Sequence, residues 1–182
     1  FYFSKRYLRP VIVFLSLIAA FVCAVAVLRF IYPRKYSDYV SEYAKRYNIS
    51  ENLIYAVIKC ESGFEPYSVS GAGAVGLMQI TPDTLQWAAM KSGDTGVLAS
   101  VLYDAKSNIK YGCCIYSLFL SEFGEESVAL AAYNAGRGNV LKWLSDSEHS
   151  DDGILLKSIP FPETEKYVKK VLTVKRIYEL IY

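Results

Sequence analysis

The chain has little of what metal and nucleic-acid chemistry require. Its 182 residues include one histidine, His149, placed in the polar stretch SDSEHSDDG. Its four cysteines, Cys23, Cys60, Cys113 and Cys114, contain no C-x-x-C pair. A structural zinc site draws several such ligands from short, regular spacings, so neither a zinc site nor any cofactor is expected. The vicinal pair Cys113-Cys114 could close only a strained bridge and reads as two small buried residues on a helix. Export would permit Cys60 to pair with one of them. Charge of one sign is scarce too: 20 Lys and Arg face 18 Asp and Glu, a net +2. No basic block stands in the main part of the chain, which argues against nucleic acid as a ligand. There is no internal repeat and no long alternating run that would mark a strand.

The hydrophobic fraction, 53%, is high, and the N-terminus holds much of the excess. Val11–Leu28 (VIVFLSLIAAFVCAVAVL) runs eighteen residues without a charge, the lower edge of a bilayer-spanning helix. Lys5, Arg6 and Arg9 precede it, and Arg29, Arg34 and Lys35 follow, so the charge rule for orientation is nearly balanced. A short tail before a large C-terminal domain predicts a signal-anchor, with residues 1–32 as cytoplasmic tail and membrane helix. Residues 33–182 then form one exported domain on the outer face of a single-pass protein. The rival is a signal peptide cleaved near Ala24-Val25-Ala26, which would leave the domain secreted.

Past Pro33 the pattern is helical. Tyr36, Tyr39, Val40, Tyr43 and Tyr47 recur at spacings of three and four, a packing stripe. Asn48-Ile49-Ser50 breaks it, and Ser50 is a natural N-cap for a helix carrying Leu53, Ile54, Val57 and Ile58 to Cys60-Glu61. Gly63 to Gly76 predicts a loop or short hairpin. Thr81-Pro82-Asp83 has the signature of a helix start, and Gly93 to Gly96 of a break. Ile109, Cys113, Tyr116, Leu120 and Phe123 define a long helix stopped by Gly124. Further helices are expected at Val128–Ala135, around Val140–Leu144, and from about Glu163 to Ile181 with Val168, Val171, Leu172 and Ile177 on one side.

Glu61 is the unusual residue. It stands at i+7 from Ile54 and continues the face of Val57 and Ile58, so it prolongs an apolar stripe. Desolvation and the negative end of a helix both favour the protonated carboxyl. A carboxylic acid that keeps its proton near neutral pH suits general-acid catalysis. The competing reading is a helix-terminal acid that reaches back to water. The loop behind it is made of small residues, which let a bulky ligand approach the backbone. Gly76-Leu77-Met78-Gln79 then offers a thioether and an amide, the first suited to packing on a sugar face, the second to hydrogen-bonding sugar substituents.

Glu61 to Pro82, E-S-G-F-x-P-x-S-V-S-x-A-G-A-V-G-L-M-Q-I-x-P, resembles the signature of lytic transglycosylases of the soluble-transglycosylase-like family, whose catalytic domain is goose-type lysozyme-like. Ala131-Ala132-Tyr133-Asn134-Ala135-Gly136 is similar to that family's A-x-Y-N-A-G block. Ile159 to Thr164, continuing to Tyr167-Val168, is similar to its I-P-x-x-E-T-x-x-Y-V block, and Asn108 before Tyr111-Gly112 fits N-I-x-Y-G. Departures are Ser68, Thr81 and Arg137, where Ala, Met and Pro are frequent. The resemblance spans roughly residues 36–182 and implies a mainly α, lysozyme-like domain with at most a small β-hairpin. It implies that glycan strands of peptidoglycan are the partner, cut between N-acetylmuramic acid and N-acetylglucosamine without water. Glu61 would act as acid and then base, leaving a 1,6-anhydro end. Met78, Gln79, Tyr133, Asn134, Glu163 and Tyr167 would contact substrate, with Ser62 and Gly76 supporting the site. A hydrolytic muramidase, and a silent glycan-binding scaffold, are the alternatives.

Overall fold

The computed structural model describes residues 5–182, with side chains described from Leu8 onward. Of the expected tail and membrane helix at residues 1–32, residues 1–4 lie outside these. Among the described residues the secondary structure is helical, with two isolated antiparallel bridges, Val69 to Val75 and Val75 to Ile80, where a small hairpin was expected.

Helix α1 (Lys5–Ile31) projects from the domain and meets it near its C-terminal end, where Arg29 binds the Ile181 carbonyl of the last helix. Its stretch Leu8–Ile31 is 24 residues long and none of it is buried, which removes the reading of a core helix. At about 1.5 Å per residue it reaches about 36 Å, long and apolar enough to cross a hydrocarbon layer of about 30 Å. Tyr36 and Asn48 bracket α2 (Ser37–Tyr47), both in the left-handed region. Asn48 tolerates that geometry better than most side chains, so the break read at this point is a left-handed C-cap. On α2, Val40, Tyr43 and Ala44 are buried, with Tyr36, Tyr39 and Tyr47 packed partly against the core.

Helix α3 (Glu51–Glu61) buries every residue from Leu53 to Ile58. Ser50 occupies its N-cap position without a side-chain capping bond. Thr81 does cap α4 (Pro82–Ser92), accepting from the Thr84 amide at 3.2 Å. A 3-10 turn, Ala99–Tyr103, leads into the long α5 (Ala105–Phe123), whose first turn is capped by Asp104. Cys113 and Cys114 are buried free thiols on α5. Helices α6 (Glu126–Ala135) and α7 (Arg137–Leu144) turn sharply at Gly136. Helix α8 (Pro162–Ile181) packs along α3. Its buried face is Thr164, Val168, Val171, Val174, Tyr178 and Ile181. The stripe read from the sequence, which included Leu172 and Ile177, is thus rotated, and those two flank it half-buried. Tyr178 carries the shift, because its ring stacks on Tyr55 of α3 at 5.4 Å and extends the buried row toward Ile181.

The glycine-rich segment between α3 and α4 is held by one buried amide. Asn108, on α5, is fully buried. Its Oδ1 accepts from the Met78 amide at 2.8 Å, and its Nδ2 donates to the carbonyls of Val75 and Leu102 at 2.9 Å each. Gly76 passes beside it with φ 82°, and a Cβ there would come within 2.5 Å of the Leu102 carbonyl oxygen. Only glycine fits this crossing. Asn108→Ala would strand three buried backbone groups, each costing about 1–3 kcal/mol. The expected loss of about 3 kcal/mol or more lowers Tm by about 10 °C for a domain of this size. An unchanged thermal midpoint would remove Asn108 from this role.

Candidate active site

Three elements converge on Glu61. It is the last residue of α3, and the helix ends because the next two residues commit to the loop. Ser62 Oγ donates to the Leu77 carbonyl at 2.8 Å and accepts from the Phe64 amide at 3.2 Å, clamping both ends of the loop together. Ser62 therefore braces the site, and Gly76 supports it through the crossing at Asn108.

Glu61 lies in the lining of a cleft of about 750 Å³. The loop contributes Ser70, Ala72 and Ala74, whose small side chains leave the opening wide. The carboxyl's proton affinity is raised to about 7, with burial as the dominant cause. The Tyr167 hydroxyl and the Lys170 ammonium act in the opposite direction. Tyr167 approaches from α8, and its buried Oη reaches no hydrogen-bond partner at full bonding geometry. It is a phenol poised beside the acid, held well above its ordinary proton affinity first by burial and then by Glu61.

Tyr133 is equally enclosed, but its hydroxyl donates to the Met78 carbonyl at 2.8 Å rather than to Glu61. Its ring lines the cleft. Met78 itself is 1% exposed, and its thioether packs where a Cβ on Gly112 would stand, with Cε 2.7 Å from that point. The expected thioether contact with a sugar face does not fit this placement; the side chain belongs to the core. The same contact explains Gly112: any side chain there would displace Met78 and shift the loop. Gln79, with φ 48°, lines the cleft and donates Nε2 to the carbonyls of Gly76 at 2.9 Å and Ser68 at 3.2 Å. That leaves Oε1 as the amide atom for a ligand.

At the far rim, Asn134 and Glu163 both line the cleft. Thr164, 2% exposed, donates to Asn134 Oδ1 at 2.7 Å and so joins the start of α8 to the end of α6. The A-x-Y-N and E-T blocks thus meet in space although about thirty residues separate them. An aromatic wall completes the cleft: Trp87 of α4 stacks on Phe119 of α5 at 5.5 Å. Sequence reading gave neither residue a place in a site and missed this. Their only signal was size, an indole and a phenyl on helices that flank the loop. Arg137, one of the departures from the family pattern, also lines the cleft and binds Glu122 through Nε and Nη2.

Two further carboxylates, Asp83 and Glu163, belong to the lining. Neither enters the balance of burial, Tyr167 and Lys170 that sets the proton affinity of Glu61. An acid within about 4–6 Å would do so. Glu65 is exposed. Cys60, beside Glu61, is a free thiol pushed up to about 11, mainly by burial, and is inert as a nucleophile at neutral pH. His149 sits near Asp146 and Glu148 on an exposed loop, with Nδ1 bound to Ser158 Oγ at 2.8 Å.

A carboxyl whose proton affinity is higher folded than unfolded makes the folded state bind more protons between the two values. Stability is therefore lost as pH rises from about 4.5 through about 7. The penalty is absent below that window and complete above it, on the order of 3 kcal/mol. Glu61→Gln removes the titrating group. Denaturant midpoints should show it more stable than the parent above pH 8 and indistinguishable below pH 4. A gap independent of pH would contradict the buried-acid geometry.

The Transglycosylase SLT domain family matches residues 38–155. A soluble lytic murein transglycosylase of Salmonella typhimurium is 35% identical over 150 residues, 81% of this chain and 23% of that protein. A membrane-bound lytic murein transglycosylase C of Actinobacillus pleuropneumoniae is 32% identical over 167 residues, covering 80% and 46%. The chain therefore spans less than half the length of these relatives. Among solved structures, an inactive Glu-to-Gln mutant of lytic transglycosylase Slt from Pseudomonas aeruginosa superposes with a TM-score of 0.74 at 35% identity. The 70 kDa soluble lytic transglycosylase of Escherichia coli gives the same score at 31%. Each match covers 84% of this chain and 25% of the neighbour. The fold is thus the mainly α, lysozyme-like one expected, and the chain belongs to the transglycosylase SLT domain family.

Proposed function

We propose that the chain is a peptidoglycan lytic transglycosylase, with Glu61 as its single acid and base. The carrying observation is the desolvated, proton-retaining carboxyl in the lining of an open cleft. Ordinary glycosidases pair two carboxyl groups, one to protonate the leaving oxygen and one to attack or to activate water. A muramyl residue carries its own nucleophile, the C6 hydroxyl, so one acid suffices. In this reading Glu61 gives its proton to the bridging oxygen as the C1–O bond breaks. The carboxylate then takes the C6 hydroxyl proton as O6 bonds to C1. The acid ends reprotonated, no water is consumed, and a 1,6-anhydro ring closes the new end.

The surrounding groups have matching roles in this proposal. Tyr167 Oη is placed to stabilise the carboxylate that forms midway, since its hydroxyl already favours the ionised form. Gln79 Oε1, Asn134 and Glu163 are polar groups for the acetamido and hydroxyl substituents. The Trp87–Phe119 wall offers a flat apolar surface for a pyranose face. Tyr133 contributes by holding the Met78 carbonyl and hence the loop. The neighbour inactivated by one Glu-to-Gln exchange supports a mechanism that hangs on one acid. We further propose that α1 anchors the protein, with residues 33–182 as the catalytic domain on the outer face of the membrane. The membrane-bound relative is consistent with that placement.

Digestion of purified peptidoglycan by the full chain in detergent solution, where no bilayer fixes the reach of the cleft, followed by mass analysis, tests this directly. Muropeptides one water lighter than hydrolysis products are expected. Reducing ends would establish the muramidase instead, and wall binding without release would establish the scaffold. Glu61→Gln should lower turnover by about 10²–10⁴-fold with binding retained. Asp83→Asn should change it by less than about tenfold, because Asp83 takes no part in the proton transfers. As the acid must begin protonated, kcat/KM should fall as pH rises through about 7. A limb rising with pH across that range would overturn the assignment of Glu61 as acid.

A further inference from the structure

The junction between α1 and the domain is more tightly bonded than a tether requires. Five residues, 32–36, connect α1 to α2, and none is glycine or serine. Three of them are pinned. The Tyr32 carbonyl accepts from Tyr182 Oη at 3.1 Å, and the Pro33 carbonyl accepts from Tyr178 Oη at 3.1 Å. Arg34 Nη2 donates to Asn52 Oδ1 at 2.6 Å, while its guanidinium lies 4.3 Å from the centre of the Tyr182 ring. One turn earlier, Arg29 Nε donates to the Ile181 carbonyl at 2.8 Å. The last turn of α8 therefore closes a collar around the point where α1 meets the domain.

From that collar two helices lead to the cleft as one strut. Helices α3 and α8 run antiparallel: Tyr55 stacks on Tyr178 at the collar end, and Glu61 meets Tyr167 at the other. From Asn52 to Glu61 is about 14 Å of helix, and from Tyr178 back to Tyr167 about 17 Å. At the level of the collar, Phe30 is 88% exposed and Leu180 is 84% exposed. Apolar side chains flanked by arginine suit the interfacial zone of a bilayer that contains anionic lipid.

We propose that residues 29–34 and the last turn of α8 form a rigid mount seated on the bilayer surface. It holds the cleft at one orientation, with about 14–17 Å of helix between the collar and Glu61. The substrate is then glycan lying at the membrane, the product of strand polymerisation there, rather than wall material farther out. This part rests on the anchored transglycosylase reading above.

The test uses the full chain in nanodiscs of phosphatidylethanolamine and phosphatidylglycerol. A donor dye is placed at Lys91, beside Trp87 near the cleft, through an encoded azide, with acceptor-labelled lipids in the disc. A Gly-Ser insertion of about twelve residues after Leu28 leaves every collar contact in place and adds about 20 Å of reach. The parent should give a single narrow energy-transfer distribution, and the insertion variant one at least about twofold broader. Arg34→Ala with Tyr182→Ala should broaden it without any insertion. A parent as broad as the insertion variant overturns the mount. In parallel, the parent should cut glycan linked to the disc by a lipid but spare glycan coupled to beads, and the insertion variant should cut both. Equal cutting of both by the parent overturns the substrate assignment. Absence of cutting from either form refutes the enzymatic reading, and with it the substrate class, while the distance arm still decides the mount.

Discussion

The desolvation of one carboxyl group is the constraint around which the domain is arranged. Glu61 ends a helix that is buried from Leu53 to Ile58, and α8 covers it with Tyr167. Withdrawing an acid from water costs stability, yet that withdrawal is what leaves a proton on it at neutral pH. The opposing pulls of Tyr167 and Lys170 moderate the effect, so the group stays near 7, where the proposed mechanism has it give and then take a proton. Stronger burial would freeze the acid as neutral; less would ionise it before substrate arrived.

That balance depends on a loop kept open at close quarters. Asn108 ties the Met78 amide and the Val75 carbonyl to α5, Ser62 ties the Leu77 carbonyl to the end of α3, and Tyr133 holds the Met78 carbonyl. Nearly all the polar capacity around the loop is thus satisfied internally. Lining groups outside this network include the amide oxygen of Gln79, the carboxylates of Asp83 and Glu163, and the aromatic wall. A cleft with a rigid floor and sparse polar points is suited to a long, flat, hydroxyl-rich chain.

The helices were legible in the sequence because they are written in local spacing, and Thr81-Pro82 marked the start of α4. The i, i+3, i+4, i+7 row ending on Glu61 made burial one of two readings, and the resemblance of the surrounding blocks pointed to it as the acid. What was hidden depends on contacts between distant elements. Met78 looked like a ligand group because a thioether can pack on a sugar face; only the bare Cα of Gly112 on α5 shows that it is drawn inward. Tyr133 read as a substrate contact, but its hydroxyl proton is given to the Met78 carbonyl. Trp87 and Phe119 form a wall only once α4 and α5 lie together. The collar at Arg29, Tyr32 and Arg34 was invisible for the same reason, since its partners Tyr178, Ile181 and Tyr182 lie about 150 residues away. Signals of that kind appear when the chain is folded.

Everything above turns on whether Glu61 keeps its proton in the free protein. A carbon-13 NMR titration of the Glu61 side-chain carboxyl, assigned by comparison with Glu61→Gln, measures this without substrate or turnover. A midpoint near 7, set apart from those of the exposed acids, is the predicted result. A midpoint in the ordinary carboxylate range near 4.5 would contradict the account at its centre.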